Sequence, residues 1–576
     1  MTNMRDTISG FRTIDRDRNR ENDGMDVESE VLSVRFKERK KVIARYIAVL
    51  LSHGFLWESN VLSEVQCFYH FFRELLEILV GSEDLIIGYL DTFSSENFHR
   101  LFEQLQNQIT ICVYSLEEEE EDVQDMLKLS ITALDLVHRS NTSVLRIPIK
   151  DFVNESCSDK LHLPDIAKQY YQKKTKKMKG FVFLDYPWLF STEAKVDVIQ
   201  IECQFRMENE ITNFIDQGIG IEQLQFIGEA LSLNIQVRRN FILEDALRML
   251  STQGKNLKKQ LKIKFAGEEG IDQGGVKKEF FHLLMKELFN PNYAMFEQKF
   301  NGRFYWFNKL SMECNVNFEL IGTLLALAIY NSVLLPAPFP KVVYKKLLKE
   351  KLVLEDIEEF DPDLYTTMKN ILRSPEVEKM DLTFSTSYDN FGFEQVVDLC
   401  PGGVSIPVTN ANKEQFVQAY LDWYLNTSVE QQFIPFNKGF YKVISYESIK
   451  LLNSQEVQQL ICGISELNFK ELEETTQYEN CSPADQMVKW FWEILHSLDD
   501  DHKKMFLKFT TGSDRSPLRG LGELNLVIMI QGLDDSRLPS AHTCFNHLVL
   551  PKYSTKDFLK AKLLQAIENN EGFGLS

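Results

Sequence analysis

Residues 538–546 read Leu-Pro-Ser-Ala-His-Thr-Cys-Phe-Asn and form a short polar segment between two apolar stretches. The stretch before it, Leu524–Ile530, has the composition of a β-strand. The stretch after it, Phe545–Leu550, is also apolar, and we expect Pro551 to end it. The order therefore predicts strand, polar loop, strand, with Cys544 where the loop enters the second strand.

A helix is predicted directly downstream. Ser554, with Asp557 three residues later, has the spacing of a helix cap. The apolar residues that follow recur at helical intervals and are Leu559, Leu563, Leu564 and Ile567. Cys544 is thus flanked on both sides by structure that would hold it still.

Cys544 could be a nucleophile or a buried thiol. The thiolate is the reactive form of cysteine, whose ordinary pKa is about 8.5, so a nucleophile gains from nearby donors or cations. His542 lies on the same side of the chain if the loop is extended. The local pattern alone favours a buried core thiol, because free cysteine is among the most buried residue types. A zinc site from His542, Cys544 and His547 is disfavoured, since the remaining ligands have no obvious source.

Length and charge restrict the class of protein. The chain has 576 residues, which predicts two to four domains, and a formal net charge of −20. That charge argues against nucleic acid as a partner, because phosphate binding needs a basic surface. The most apolar stretch, Leu320–Leu335, is interrupted by polar residues and is short for a bilayer, so we expect no membrane span.

The cysteines favour a reducing compartment. The nine of them are scattered without any CxxC pair, so neither a disulfide framework nor a zinc finger is predicted. We expect the cytoplasm as the location of the protein, with the nucleus as a second one. No metal or organic cofactor is expected.

A glycine-rich turn, Gly267–Gly275, lies between a strand predicted at Leu261–Phe265 and a helix predicted at Val276–Phe289. It lacks the lysine and the glycine spacing of phosphate-binding loops, and its acidic residues would repel a phosphate. The turn is therefore interpreted as a tight strand-to-helix connection.

The segment Leu538–Asn546, continued by Leu550–Tyr553, closely resembles the active-site signature of HECT ubiquitin ligases. The last five residues, Gly572–Ser576, are similar to the C-terminal residues of the family. Further segments that resemble the family, in its order, are Phe265–Phe281, Leu320–Tyr330, Asn426–Phe433, Leu472–Tyr478, Phe491–His496 and Phe509–Pro517. Upstream, Ile147–Glu155 and Phe181–Pro187 are similar to the segment that precedes the domain in Angelman-type ligases and their relatives.

The resemblance implies an α+β fold with a two-lobed HECT domain. A mainly helical N-lobe at 222–463 would dock the ubiquitin-conjugating enzyme, and a smaller α/β C-lobe at 464–576 would carry the cysteine. The lobes would be joined by a hinge near Gly463–Ser465. We expect a disordered tail at 1–40, a helical region of unknown role at 41–140 and a pre-HECT segment at 141–221.

The resemblance also implies site residues and partners. Cys544 would accept ubiquitin as a thioester and pass it to a lysine of an unknown protein substrate. The supporting loop and tail residues would be His542, Thr543, Asn546 and Phe573. The residues that match the family's conjugating-enzyme groove are Leu364, Met368, Ile371, Phe416 and Tyr420. Their helical spacing fits a buried face equally well, and Thr543 and Asn546 could simply hydrogen-bond the loop.

Two other function classes are alternatives to the ligase. A catalytically inactive scaffold would bind ubiquitin or the conjugating enzyme but would have no need of the cysteine. A cysteine hydrolase acting on ubiquitin would need a remote histidine and an orienting Asp or Asn. His496 and His502 are available as the histidine, but the sequence has no local hydrolase signature.

Overall fold

The structure is a computed structural model, and it describes residues 41–42, 83–116, 121–176, 180–216, 232–252, 257–268, 275–335, 337–533, 535–543 and 545–569. The tail predicted at 1–40 lies outside these ranges. Within them, no helix is both long enough and apolar enough to cross a membrane. The chain divides into two compact units, Met1–Ile166 with Lys176–Ser191, and Ala167–Thr175 with Thr192–Ser576.

The described part of the first unit is mainly helical. Its helices are α1 (Asp84–Leu90), α2 (Ser95–Tyr114), α3 (Glu121–Val144) and α4 (Glu155–Lys160). Helix α2 begins at Ser94, whose side chain accepts a hydrogen bond from the backbone amide of Asn97. Helix α2 packs against α3, and Asn154 bonds back to the Gln106 side chain and so ties the segment after α3 to α2.

The helices of the N-lobe and of the segment before it form the larger part of the second unit. They are α5 (Leu163–Lys176, of which Ala167–Thr175 belongs to this unit), α6 (Thr192–Asp216), α7 (Ile242–Thr252), α8 (Gly275–Leu288), α9 (Asn315–Tyr330), α10 (Lys341–Leu348), α11 (Pro362–Arg373), α12 (Lys413–Leu425), α13 (Glu430–Val443), α14 (Tyr446–Ile449) and α15 (Ser454–Cys462). Three two-stranded sheets accompany them: parallel β1 (Ser232–Val237) and β2 (Gln260–Phe265), and the hairpins β3–β4 (Phe296–Lys299, Phe304–Phe307) and β5–β6 (Ser385–Asn390, Phe393–Asp398).

Helices α9 and α13 cross at backbone contact in the centre of the N-lobe. Helix α9 is buried over almost its whole length, so it has no polar face. A methyl group built on Gly322 of α9 would overlap the carbonyl oxygen of Phe436, and one on Gly439 of α13 would overlap that of Glu319. The two glycines therefore allow an approach that any side chain would prevent.

The C-lobe is an α/β unit built on a four-stranded sheet. Its strands are β7 (Gln477–Glu479), β8 (Val527–Leu533), β9 (Ser540–His542) and β10 (His547–Lys552), and its helices are α16 (Phe469–Thr475), α17 (Gln486–Ser497), α18 (Asp500–Thr511) and α19 (Lys556–Glu568). The strand order is β7-β8-β10-β9, in which only β9 runs antiparallel to its neighbour. The combination of helical N-lobe and α/β C-lobe confirms the predicted α+β class.

Two local predictions for the C-lobe were wrong. Pro551 does not end the second strand, because β10 continues to Lys552 across a register shift that accommodates a residue without an N–H group. The cap of α19 is Thr555, which accepts from the amide of Phe558, and Ser554 instead bonds the carboxylate of Asp535.

Candidate active site

The predicted catalytic loop connects β9 to β10 at the edge of the C-lobe sheet. Strand β9 ends at His542, and β10 begins at His547 and lies between β8 and β9. The side chains of His542 and Phe545 are exposed, whereas that of Asn546 is buried. Cys544 lies outside the described residues, so the structure reports the loop on both sides of it.

Asn546 anchors this loop. Its backbone has the left-handed conformation, with φ of 53°, which asparagine tolerates better than most residues. Its side-chain amide donates to the backbone carbonyl of Leu524 at 2.5 Å, and its backbone carbonyl accepts from the amide of Val527 at 3.0 Å. The predicted nucleophile therefore lies two residues before a position fixed to the start of β8.

The other face of the loop borders a cavity between the C-lobe, the N-lobe and α6. The cavity has a volume of about 420 Å³. Thr543 and Asn546 of the catalytic loop line it together with Lys278 and His282 of α8. Other lining residues include Asp197 and Gln200 of α6, Leu460 near the end of the N-lobe, and Arg515, Arg519 and Glu523 of the C-lobe.

Polar contacts between described residues join the C-lobe to its surroundings at this cavity. Arg519 forms an ion pair with Asp197 of α6. The Lys278 ammonium lies 3.5 Å from the side-chain oxygen of Asn546. Burial raises the pKa of Asp197, and the Arg519 guanidinium acts against that shift. Burial, followed by the charges of Lys286 and Lys508, lowers the pKa of His282.

Helix α6 is attached to the N-lobe by buried groups. The Lys195 ammonium contacts the carboxylate of Glu456 at 2.5 Å, with the two side chains only 7% and 11% exposed. Thr192 donates to the same carboxylate at 2.8 Å. The Tyr330 hydroxyl of α9 donates to the carbonyl of Cys203 at 3.2 Å. These contacts make α6 a structural part of the N-lobe.

The connection between the lobes follows α15 directly. Gly463 has a φ of +80° and lies against the backbone of Ser516, so a side chain there would clash. Ile464 exchanges two backbone hydrogen bonds with Ser516, at 2.8 and 2.9 Å. Ile464, within the stretch predicted as the hinge, is thus paired with the segment that follows α18.

The residues predicted for the conjugating-enzyme groove cluster around α11 and α12. Met368, Ile371 and Phe416 are buried, while Leu364 and Tyr420 are partly exposed. Phe416 packs edge-on against Phe384, beside the start of β5. The described part of the cluster is therefore an apolar core with two side chains at its surface.

Sequence reasoning missed Asp197, Lys278 and Arg519, the residues that bring α6 and α8 to the catalytic lobe. Asp197 and Arg519 are charged residues outside every segment that resembles the family, so no sequence signal could have identified them. Lys278 lies within Phe265–Phe281, but the resemblance of that segment carries no information about its contact with Asn546. The remaining predicted residue, Phe573, lies outside the described residues. Across the described ranges, no three His, Cys, Asp or Glu side chains are grouped to hold a metal ion.

Comparison with known proteins gives the same assignment over most of the chain. Residues 282–576 match the family described as HECT-domain (ubiquitin-transferase). The probable E3 ubiquitin-protein ligase HECTD2 of Mus musculus is 32% identical over 546 residues, which cover 90% of this chain and 69% of the relative. HECTD2 of Homo sapiens is similar to the same extent.

Further relatives match about two thirds of the chain. The probable E3 ubiquitin-protein ligase HERC4 of Rattus norvegicus is 40% identical over 397 residues, 68% of this chain and 38% of the relative. The loop between β9 and β10, the two-lobed architecture and these similarities agree, and the chain belongs to the HECT family of ubiquitin transferases.

Proposed function

We propose that Cys544 is the residue on which this ligase carries ubiquitin, as a thioester, before transfer to a lysine of a protein substrate. The observation that carries the proposal is the anchoring of the loop around it. Asn546 fixes one side of Cys544 to β8 through buried hydrogen bonds, and β9 fixes the other side. A loop held in this way keeps a nucleophile in place, which is what catalysis by positioning requires.

The reaction has two steps at one sulfur atom. The Cys544 thiolate attacks the thioester carbonyl that joins ubiquitin to the conjugating enzyme, and the thiolate of that enzyme leaves. A substrate lysine amine then attacks the new thioester, forms the isopeptide bond, releases the Cys544 thiolate and gives up a proton. Exchange between similar thiols is nearly balanced in free energy, so the protein contributes mainly orientation.

The neighbouring residues have supporting roles in this proposal. Asn546 is a positioning residue, because its side chain is bonded to Leu524 and acts through the loop. His542 and Thr543, on the other side of Cys544, would orient the thioester or its tetrahedral intermediate. Phe573 would act in the transfer to lysine, as the family resemblance implies.

Single-turnover assays with ubiquitin-charged conjugating enzyme test the proposal. On a non-reducing gel, the wild type is expected to form a thiol-sensitive ubiquitin adduct, Cys544→Ala none, and Cys544→Ser a thiol-resistant ester. Cys314 is an exposed free thiol and gives the matched control, since Cys314→Ala should leave the adduct intact. An adduct that persists in Cys544→Ala would assign the acceptor to another residue and favour the scaffold interpretation. Release of free ubiquitin from a fluorogenic ester would favour the hydrolase.

We also propose that the conjugating enzyme docks on the subdomain formed by α11, β5–β6 and α12. The partly exposed Leu364 and Tyr420 would contact it directly, and the buried Met368, Ile371 and Phe416 would hold these two helices in place. An apolar pair at the surface above a packed core has the composition of a small protein-binding site.

Binding of uncharged conjugating enzyme tests this surface. Leu364→Ala and Tyr420→Ala are each expected to weaken binding by about tenfold, as typical interface anchors do. Ile434 is the control, because it is an exposed apolar residue of α13 outside the predicted groove. Equal weakening by Ile434→Ala, or unchanged binding by all three variants, would place the docking surface elsewhere.

A further inference from the structure

Helix α6 lies entirely upstream of the residues matched by the HECT family, 282–576, yet it contacts both lobes. Its N-lobe contacts, from Lys195 and Thr192 to Glu456, are buried and charge-assisted. Its C-lobe contact is the ion pair of Asp197 with Arg519. Lys195 and Asp197 are two residues apart, so a single turn of this helix carries both attachments.

We propose that α6 docks the catalytic lobe, with Asp197 as the positioning residue that holds the C-lobe through Arg519, and that this contact opens before ubiquitin is accepted. The opening of the contact before ubiquitin is accepted rests on the proposed role of Cys544. The docked orientation is a resting state, and α6 is a regulatory part of the ligase.

The environment of the catalytic loop indicates why the docked orientation is a resting one. Thr543 and Asn546 line a cavity of about 420 Å³ that is also lined by residues of α6 and α8. Such a volume suits a small molecule, whereas the donor of ubiquitin is a folded protein. Lys278 of α8 lies against Asn546 from the same side. The lobe must therefore turn away from α6 and α8 before a conjugating enzyme can reach this side of the loop.

The contact to α6 is built so that it can open. The side chains of Arg519 and Asp197 are 46% and 30% exposed, and ion pairs in such surroundings contribute little to stability. Arg519 also lies 3.8 Å from Glu523 of its own lobe, so a partner remains when Asp197 is released. The buried pair of Lys195 with Glu456 stays closed and keeps α6 on the N-lobe.

A charge-reversal cycle in the full chain tests the proposal. Asp197→Arg and Arg519→Asp each place like charges at the contact, and the double variant restores an opposite pair. The control is Glu208→Arg, which makes the same change at an exposed residue of α6 about three turns away. Asp197→Asn is a milder variant that guards against misfolding.

Two measurements are made on each variant. Hydrogen exchange of the amides in 192–200 and 515–524 reports docking without any need for activity. The single-turnover rate of the thiol-sensitive adduct on Cys544 reports ubiquitin acceptance. Each reversal is expected to lower protection in both segments and to raise the adduct rate by about fivefold. This factor corresponds to the small free energy that a partly exposed ion pair contributes. The double variant should return both values to within about twofold of the wild type, and Glu208→Arg should change neither.

Unchanged protection in both single reversals would overturn the docking role of α6. Reduced protection with an unchanged or slower adduct rate would overturn the resting-state role, and so would a double variant that fails to restore both values. A wild type that forms no adduct contradicts the proposed role of Cys544 instead, and the exchange data then still decide whether α6 docks the lobe.

Discussion

An ion pair inside the N-lobe and an ion pair between the lobes both join an acidic to a basic side chain, but the two pairs differ in burial. Inside the N-lobe, the Lys195–Glu456 pair is almost fully buried, and α9 and α13 touch backbone to backbone at Gly322 and Gly439. At the lobe junction, the Asp197–Arg519 pair is partly exposed and borders a cavity.

This difference in burial explains how one chain can keep the N-lobe rigid and leave the C-lobe free to move. A buried charge that loses its partner is costly, so a buried pair remains closed in the native state. A partly exposed pair exchanges its partner for water at little cost. Burial, rather than the presence of an ion pair, therefore identifies which contacts can open.

The largest expected effect is at Glu456. Glu456→Ala leaves Lys195 buried without its carboxylate and is expected to lower the free energy of unfolding by about 4 kcal/mol. Denaturant titration measures it. The control is Glu493→Ala in the C-lobe, which breaks an exposed pair with Lys556 and should cost less than about 1 kcal/mol. Similar losses in the two variants would break the distinction between buried and exposed pairs.

The helix crossing gives the next effect. Gly439→Ala forces a methyl group onto the carbonyl oxygen of Glu319, so α9 and α13 must separate, and we expect a loss of about 3 kcal/mol. Gly88 of α1 has open space around it, and Gly88→Ala should be neutral or stabilising by up to about 1 kcal/mol. Thermal unfolding of both variants checks the pair. If Gly439→Ala caused no loss of stability, the N-lobe would be able to adjust its helix packing more easily than the close contact indicates.

A smaller effect is expected at the loop anchor. Asn546→Ala removes the bond to Leu524 and places alanine in the left-handed region, so the loop should loosen by about 2 kcal/mol. Adduct formation on Cys544 should then slow by about tenfold. Asn546→Gly keeps the backbone conformation and loses only the amide, so its rate should fall between those of alanine and wild type. The idea of an anchor fails if both variants react like the wild type.

Acid should weaken the lobe junction. The pKa of His282 is lowered by burial and by the charges of Lys286 and Lys508, with Glu279 acting in the opposite direction. The docked state therefore favours the neutral ring. The stabilisation that comes from the neutral ring is fully present above about pH 6.5, the ordinary pKa of histidine, and is lost as the pH falls below that value. Hydrogen exchange of 515–524, corrected for intrinsic rates, should accelerate between pH 7.5 and about pH 5.5. His282→Gln should flatten this dependence, and an unchanged slope would exclude His282 as its source.

Elements with strong periodicity could be predicted from the sequence. The alternation at Leu261–Phe265 corresponds to β2, and the helix predicted at Val276–Phe289 differs from α8 by one residue at each end. The apolar stretches predicted as strands correspond to β8 and β10, whereas β9 lies within the segment that was predicted to be a polar loop. In each case the pattern repeats along the chain, so neighbouring residues carry the same information.

Contacts between distant parts of the chain could not be predicted. Asp197 and Arg519 are separated by 322 residues, and neither belongs to a motif. The apolar residues on α11 and α12 had a spacing that fits both a core and a docking surface, and only the packing shows that Met368, Ile371 and Phe416 are buried. Sequence pattern reports the face of an element, whereas tertiary packing decides what covers it.

The position of α6 has a consequence for where the HECT unit can be cut. A fragment that began at residue 282 would start inside α8 and would lack β1, β2 and α6. Glu456 would lose Lys195, and the Tyr330 hydroxyl would lose its acceptors at Cys203 and Lys258. The segment recognisable by family similarity is therefore shorter than the part that folds together, and a self-sufficient catalytic fragment of this chain must begin no later than Thr192.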